Sequence, residues 1–365
     1  MNAIDYFKFA ADHKEKKSMF YYGKILYEED CLSDEAQTFI SYIKESADLG
    51  YIKAMSYYGL LILDGKISGK DKTEAVKYLQ ESADLENPVS MLYYGNMLLK
   101  GELVKKDTKK GIEFIKKSAD LGNSDALFKY GLILYEGIEV TQNKEEASFY
   151  FKKSADKGNK EAILKYGEML MNGDGIEIDK KEASIYLKML ADQGNETAMC
   201  EYGMMMTEKD KFGINKKALE YIEDSASLGN PRAMVELGIK FYDEYENVEN
   251  LVKAAELFKK AADLGDSEGM FSYGHVLISG IGVPSDMKEG LKYLKKSAEL
   301  KNELGMLTYA RVLKEIGNSE KIQEALKYYK ILLEMNNPEA LYDYAIFLYE
   351  GVVVPRNLNE SARLF

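Results

Sequence analysis

SADLGNSDALFKYGLILYEG, residues 118–137, is the stretch that decides the fold. Its Tyr-Gly pair, Tyr130-Gly131, returns at Tyr22-Gly23, Tyr58-Gly59, Tyr94-Gly95, Tyr166-Gly167, Tyr202-Gly203 and Tyr273-Gly274. Degenerate copies stand at Leu237-Gly238, Tyr309-Ala310 and Tyr344-Ala345. Neighbouring copies are 36 residues apart, with a step of 35 at two places. A fixed period of this size marks a stacked-repeat architecture, and such a stack grows by adding units to one continuous core. The expectation for 1–365 is therefore a single elongated all-α domain of about ten 36-residue helical hairpins, with partial units at 1–14 and 357–365.

Bulk properties narrow the function. A formal net charge of −12 argues against sequence-independent binding to nucleic acid, which needs clustered Lys and Arg. Cys31 and Cys200 lie far apart in different repeats, so they form neither a disulfide framework nor a metal-type spacing. The first residues, MNAIDYFKFAADHKEKK, carry acids and no long apolar run, unlike a secretory signal. No 18-residue apolar run appears anywhere. A cytoplasmic protein without membrane insertion is expected.

Each unit reads as helix A, a short loop and helix B. Pro88 suits a first helical turn and Gly101 follows the helix end. Asp71, Asp107, Asn143, Asp179, Asn250 and Asp286 stand in register as N-caps of helix B; the marker slips at Asn215. Five residues before the Gly of helix A, every copy has a small residue, as at Ala54, Ser90, Ala126 and Gly269. A bulky column lies between, including Met55, Met91, Leu127 and Met270, and helix B contributes an aromatic column through Tyr42, Tyr78, Phe114 and Tyr150. Small residues set against large ones at helical spacing are interlocking core.

These same residues carry a family likeness. The A-x-x-x-[YL]-G pattern of residues 126–137 resembles helix A of Sel-one-like repeats, and residues 150–158 resemble the second helix. The family's G-x-G-[VI] loop survives at Gly173-Asp174-Gly175-Ile176 and Gly280-Ile281-Gly282-Val283. The likeness covers essentially the whole chain. It implies a relative of the tetratricopeptide repeats, a right-handed α/α superhelix of antiparallel helix pairs that binds other proteins. The pattern departs late: 304–317 loses the Gly pair, and Ile331-Leu332-Leu333-Glu334 replaces S-A-D, so less regular packing is expected there. Cysteine-rich bacterial members associated with β-lactams carry a disulfide-linked pair in each repeat. These repeats lack those cysteines, which removes that enzymatic reading.

Other candidate chemistry is weak. Residues 65–73, GKISGKDKT, lack the phosphate-loop spacing, with Asp71 where Ser or Thr is needed. Residues 172–182 fail the calcium-loop template at Ile176. His13 and His275 have no second ligand within their repeats, and Cys200 falls in an apolar column. Lysine pairs such as Lys116-Lys117 and Lys152-Lys153 read as a solvated outer face. No catalytic, cofactor or metal residues are assigned, and the chain is not expected to be an enzyme.

At 100° per residue, helix A leaves one strip outside its apolar columns, six and two residues before the Gly and one and five after it. In a tetratricopeptide-like stack, helix A lines the concave side, so this variable strip is the expected groove. Its early part offers Tyr21, Lys24, Tyr57, Tyr93, Asn96, Asp125, Lys129, Lys165 and Glu168, with six lysines balanced by six acids. Its late part sets Arg232 and Arg311 against nine acids, among them Glu201, Glu236 and Asp243, with His275 between. The expectation is a scaffold or adaptor whose groove offers aromatic anchors early and attracts a basic peptide segment late. Alternatively, the tyrosines fill space between adjacent A helices. A regulatory or targeting segment of a kinase or ubiquitin-ligase assembly is the second functional reading. Both termini fall inside a unit, and Leu364-Phe365 makes no polar cap, so a fragment or an end that self-associates is expected.

Overall fold

The computed structural model describes residues 3–29, 36–67, 69, 71–209, 216–244, 247–351 and 356–364. Regular structure among them is entirely α-helical, in 21 helices. The chain separates into two compact units, Met1–Tyr186 and Leu187–Phe365. In the first, α1 (Ala3–Asp12) precedes the A/B pairs α2 (Lys16–Glu29)/α3 (Ala36–Asp48) and α4 (Ile52–Leu63)/α5 (Lys72–Asp84). Then come α6 (Pro88–Lys100)/α7 (Thr108–Asp120), α8 (Ser124–Glu136)/α9 (Lys144–Ala155) and α10 (Lys160–Asn172), whose partner α11 (Lys180–Ala191) contains the boundary at 186–187.

The second unit holds α12 (Glu196–Lys209)/α13 (Lys216–Ser227), α14 (Pro231–Asp243)/α15 (Val248–Asp263) and α16 (Ser267–Ser279)/α17 (Met287–Glu299). It continues with α18 (Glu303–Ile316)/α19 (Ser319–Glu334) and α20 (Pro338–Glu350)/α21 (Leu358–Leu364).

The repeated letters have separate jobs. In S-A-D, the Ser hydroxyl donates to the carbonyl at the start of helix A in its own pair: Ser82 to Ile52, Ser118 to Pro88, Ser154 to Ser124, Ser297 to Ser267. These serines are fully buried, so each hydroxyl needs that partner, and the bond fixes the antiparallel register. The Asp reaches forward to the next B helix, accepting from Tyr hydroxyls in Tyr78–Asp48 and Tyr186–Asp156, and Asp192 of the variant triplet Leu190-Ala191-Asp192 accepts from Tyr221 in the same way. The tyrosines of the two columns meet edge to face, with ring centroids 5.1 Å apart in Tyr58–Tyr78 and 4.8 Å in Tyr130–Tyr150. Such pairs add roughly 0.5–1.5 kcal/mol beyond their burial.

The Gly of each Tyr-Gly pair sets how closely A and B cross. A Cβ on Gly95 would lie 2.8 Å from the carbonyl oxygen of Gly111, and one on Gly111 would lie 2.7 Å from that of Gly95. Backbone touches backbone there, so neither position has room for a side chain.

Caps follow the expected register with one exception. Asp71, Asp107, Asn143 and Asp286 cap their B helices with side-chain bonds. Asn250 does not: α15 starts a turn earlier, capped by Asn247, and Asn250 is buried inside the helix with its amide donating to Glu244 at 2.5 Å. Asn215 and Cys31 lie outside the described residues. The divergent copy keeps its helix pair, with Leu332 filling the place of the buried Ser and fully buried.

Candidate partner-binding groove

The strip on the A helices is only partly free for a ligand. In the first unit, Tyr21 and Tyr57 are half-buried around Phe20, with ring centroids 5.2 and 5.8 Å away. Lys24 stands over the Tyr57 ring at 5.3 Å. Asp125 accepts from the side-chain amide of Asn159, the cap of α10, at 2.9 Å, which ties it to the next repeat. Lys165 lies 4.2 Å from the Tyr135 ring centroid and 3.6 Å from Glu168. Tyr93 differs: 42% of it is exposed, and with Asn96, Lys100 and Lys129 it lines an open cavity of about 680 Å³ across α4, α6 and α8.

The second unit uses its charges internally. Glu201 is buried and bound by the Arg232 guanidinium. Arg311 holds Asp343 at 2.7 Å and Glu339 at 2.9 Å. Burial, with the nearby Glu268 carboxylate, lifts the carboxyl of Glu236 above its ordinary value. Asp243 is exposed. Glu201 therefore belongs to the packing and not to an accessible acidic surface, because a buried carboxylate is kept ionised only by its partner.

His275 lies in a smaller cavity of about 260 Å³, with Ile239, Tyr242, Phe271 and Leu304. Burial pushes its imidazole below its ordinary value, which favours the neutral ring. That pocket crosses α14, α16 and α18, so each unit has a cavity on its row of A helices.

The outer face reads differently. Lys117 pairs with Glu113 at 2.9 Å, Lys152 with Glu182 at 2.6 Å and Lys259 with Asp263 at 2.7 Å. Among the described residues no group of three or more His, Cys, Asp or Glu side chains is placed to hold a metal. Cys200 is a buried thiol whose pKa burial pushes up to about 12, so it is an inert core residue. No described helix is long and apolar enough to cross a membrane.

The model of the Sel1 repeat matches residues 52–87, 88–123, 124–159, 160–195, 231–266, 267–302 and 338–365. The chain belongs to the Sel1 repeat family. That model passes over the pairs α2/α3, α12/α13 and α18/α19. The fold is similar to that of a protective antigen of uropathogenic Escherichia coli with an SLR fold, at 20% identity and a TM-score of 0.73, covering 100% of this chain and 78% of that one. A Sel1 repeat protein from Oxalobacter formigenes is 26% identical with a TM-score of 0.57, covering 86% of this chain and 90% of that one. The tetratricopeptide repeat sensor protein of Pyrococcus horikoshii, a signal transduction ATPase, is similar at the level of fold, with 15% identity, a TM-score of 0.50 and coverage of 90% and 54%. No curated protein matches the chain.

Two features of the Sel1 hairpins were beyond sequence reasoning. The Tyr–Asp bonds join residues about one repeat apart and show no local pattern. The Arg232–Glu201 pair joins two neighbouring A helices from different positions of the strip, six and two residues before the Gly.

Proposed function

We propose that this Sel1 repeat protein is a non-catalytic interaction scaffold that holds a protein or peptide partner along its A helices. Sel1 and tetratricopeptide-like repeats generally mediate protein–protein interactions, which supports the class. The observation that carries the reading is the cavity on the A row of each unit, where residues that vary between repeats, such as Tyr93, Lys129 and Leu304, stand over core side chains such as Met97 and Phe258. Tyr93, Asn96 and Lys129 are the contact residues of the first unit. In the second, His275 and its apolar neighbours take an apolar side chain, and exposed acids such as Asp243 favour a basic neighbour on the partner.

Capture of partners by the full chain, followed by mapping with variants, tests this. Tyr93→Ala and Leu304→Ser are expected to weaken the captured complex roughly tenfold each, with circular dichroism unchanged. Capture indifferent to both would reject the A row as the binding face.

A further inference from the structure

The cavity beside Tyr93 has a chemistry of its own. Its rim gathers three amino groups, Lys72 at the start of α5, Lys100 at the end of α6 and Lys129 on α8, around Tyr93, Asn96 and a floor of Leu63 and Met97. Lys72 and Lys129 form no ion pair among the described residues, and Lys100 reaches Glu102 only at 3.8 Å. A lysine in the first turn of a helix stands at the positive end of the helix dipole, so Lys72 contributes little to α5.

Two repeats further on, the equivalent place is closed. There Lys144, the counterpart of Lys72, bonds Asp174 at 2.6 Å and stands over the Tyr135 ring at 5.0 Å. The Tyr135 hydroxyl donates to the same Asp174 at 2.5 Å. The closure depends on Gly175, since a Cβ there would run into the Cβ of Lys144. Gly282 is in the same position, with the carbonyl of Leu251 in the way. In the open repeat this residue is Leu103, which keeps the left-handed backbone at φ 64 while adding a side chain. Its side chain is half exposed and lines the cavity. Leu103 thus holds the loop off the start of α5, and Glu102 does not neutralise Lys72 as Asp174 neutralises Lys144.

The geometry points to a subsite for an acidic peptide segment, in which Asp or Glu carboxylates of the partner meet Lys72, Lys100 and Lys129 while an adjacent side chain packs on Tyr93 and Leu103. Charge complementarity sets the occupant: three amino groups face one loosely held carboxylate. The assignment rests on the scaffold reading above and gives it a ligand chemistry that the strip's balanced charge count conceals. The bonds formed are exposed ion pairs, so binding weakens as salt rises.

The test is selection of binders from a random-peptide display library by the full chain, then titration of the best acidic peptide against three proteins. Enrichment of Asp and Glu is expected with wild type. The double variant Lys72→Gln/Lys129→Gln should lose roughly tenfold in affinity. Leu103→Gly changes no charge, yet should let the loop settle onto Lys72 and lose several-fold, with a melting temperature at or above wild type. Binders without acidic bias, or an acidic peptide indifferent to the double variant, overturn the subsite and leave the scaffold standing. No enrichment over a blank surface overturns both. A dimer of the chain that dissociates in the double variant assigns the lysines to a second copy and overturns the peptide reading.

Discussion

The A-helix strips of the two units occupy the same repeat positions and end differently. In the first unit the strip leaves Tyr93 and Lys129 open on a cavity. In the second, Arg232 takes Glu201 and Arg311 takes Glu339 and Asp343, so much of its apparent acidity is spent within the packing. Charge counted along a sequence strip is therefore not charge available to a partner. What decides availability is whether the next A helix carries the complementary residue at the facing position.

The sharpest way to break this contrast is charge reversal at Glu201. Glu201→Lys puts a cation against Arg232 in a buried site and is expected to cost about 3–5 kcal/mol, read as a fall in the urea midpoint. The same reversal at exposed Asp243 should change stability by no more than about 0.5 kcal/mol. Equal effects would mean that the two acids are equivalent, contrary to their burial. Gly95→Val comes next, at about 1–3 kcal/mol or more, because its side chain must displace the Gly111 carbonyl. Ser118→Ala removes the bond to the Pro88 carbonyl and should cost about 1 kcal/mol in the same assay.

The smallest effect concerns Glu236. Its folded carboxyl holds a proton more tightly than in the unfolded chain, because burial and Glu268 disfavour the charge. Its contribution to stability is thus full below the unfolded carboxylate value of 4.5 and is lost as pH rises through the higher folded value. Glu236→Gln should raise stability at pH 7 by on the order of 0.5 kcal/mol, and the gain should vanish near pH 4. A loss at pH 7 would show Glu236 ionised and usefully paired.

The hairpins, their caps and the small-against-large columns were legible because each is local and recurs. A period of 36 residues lets the chain act as its own comparison. Asn250 misled because the register predicts a cap, while the local competitor Asn247 starts the helix a turn sooner. The substitution at Leu103 was also within reach: two copies, at 173–175 and 280–282, read Gly-x-Gly, and this one reads Gly101-Glu102-Leu103. The consequence was not, since it needs the three-dimensional fact that Gly175 lies against Lys144. Tyr21 and Tyr57 look like Tyr93 in sequence, and only the neighbouring Phe20 separates fillers from an open side chain.

We propose that stacking belongs to the repeated letters and recognition to the changing ones on helix A. One capture experiment decides it, comparing Tyr93→Ala/Lys129→Gln with the outer-face double variant Lys153→Glu/Lys260→Glu, both checked for an unchanged urea midpoint. The first variant is expected to lose its partner and the second to keep it. Loss of the partner only in the second would contradict the account and move recognition to the B helices.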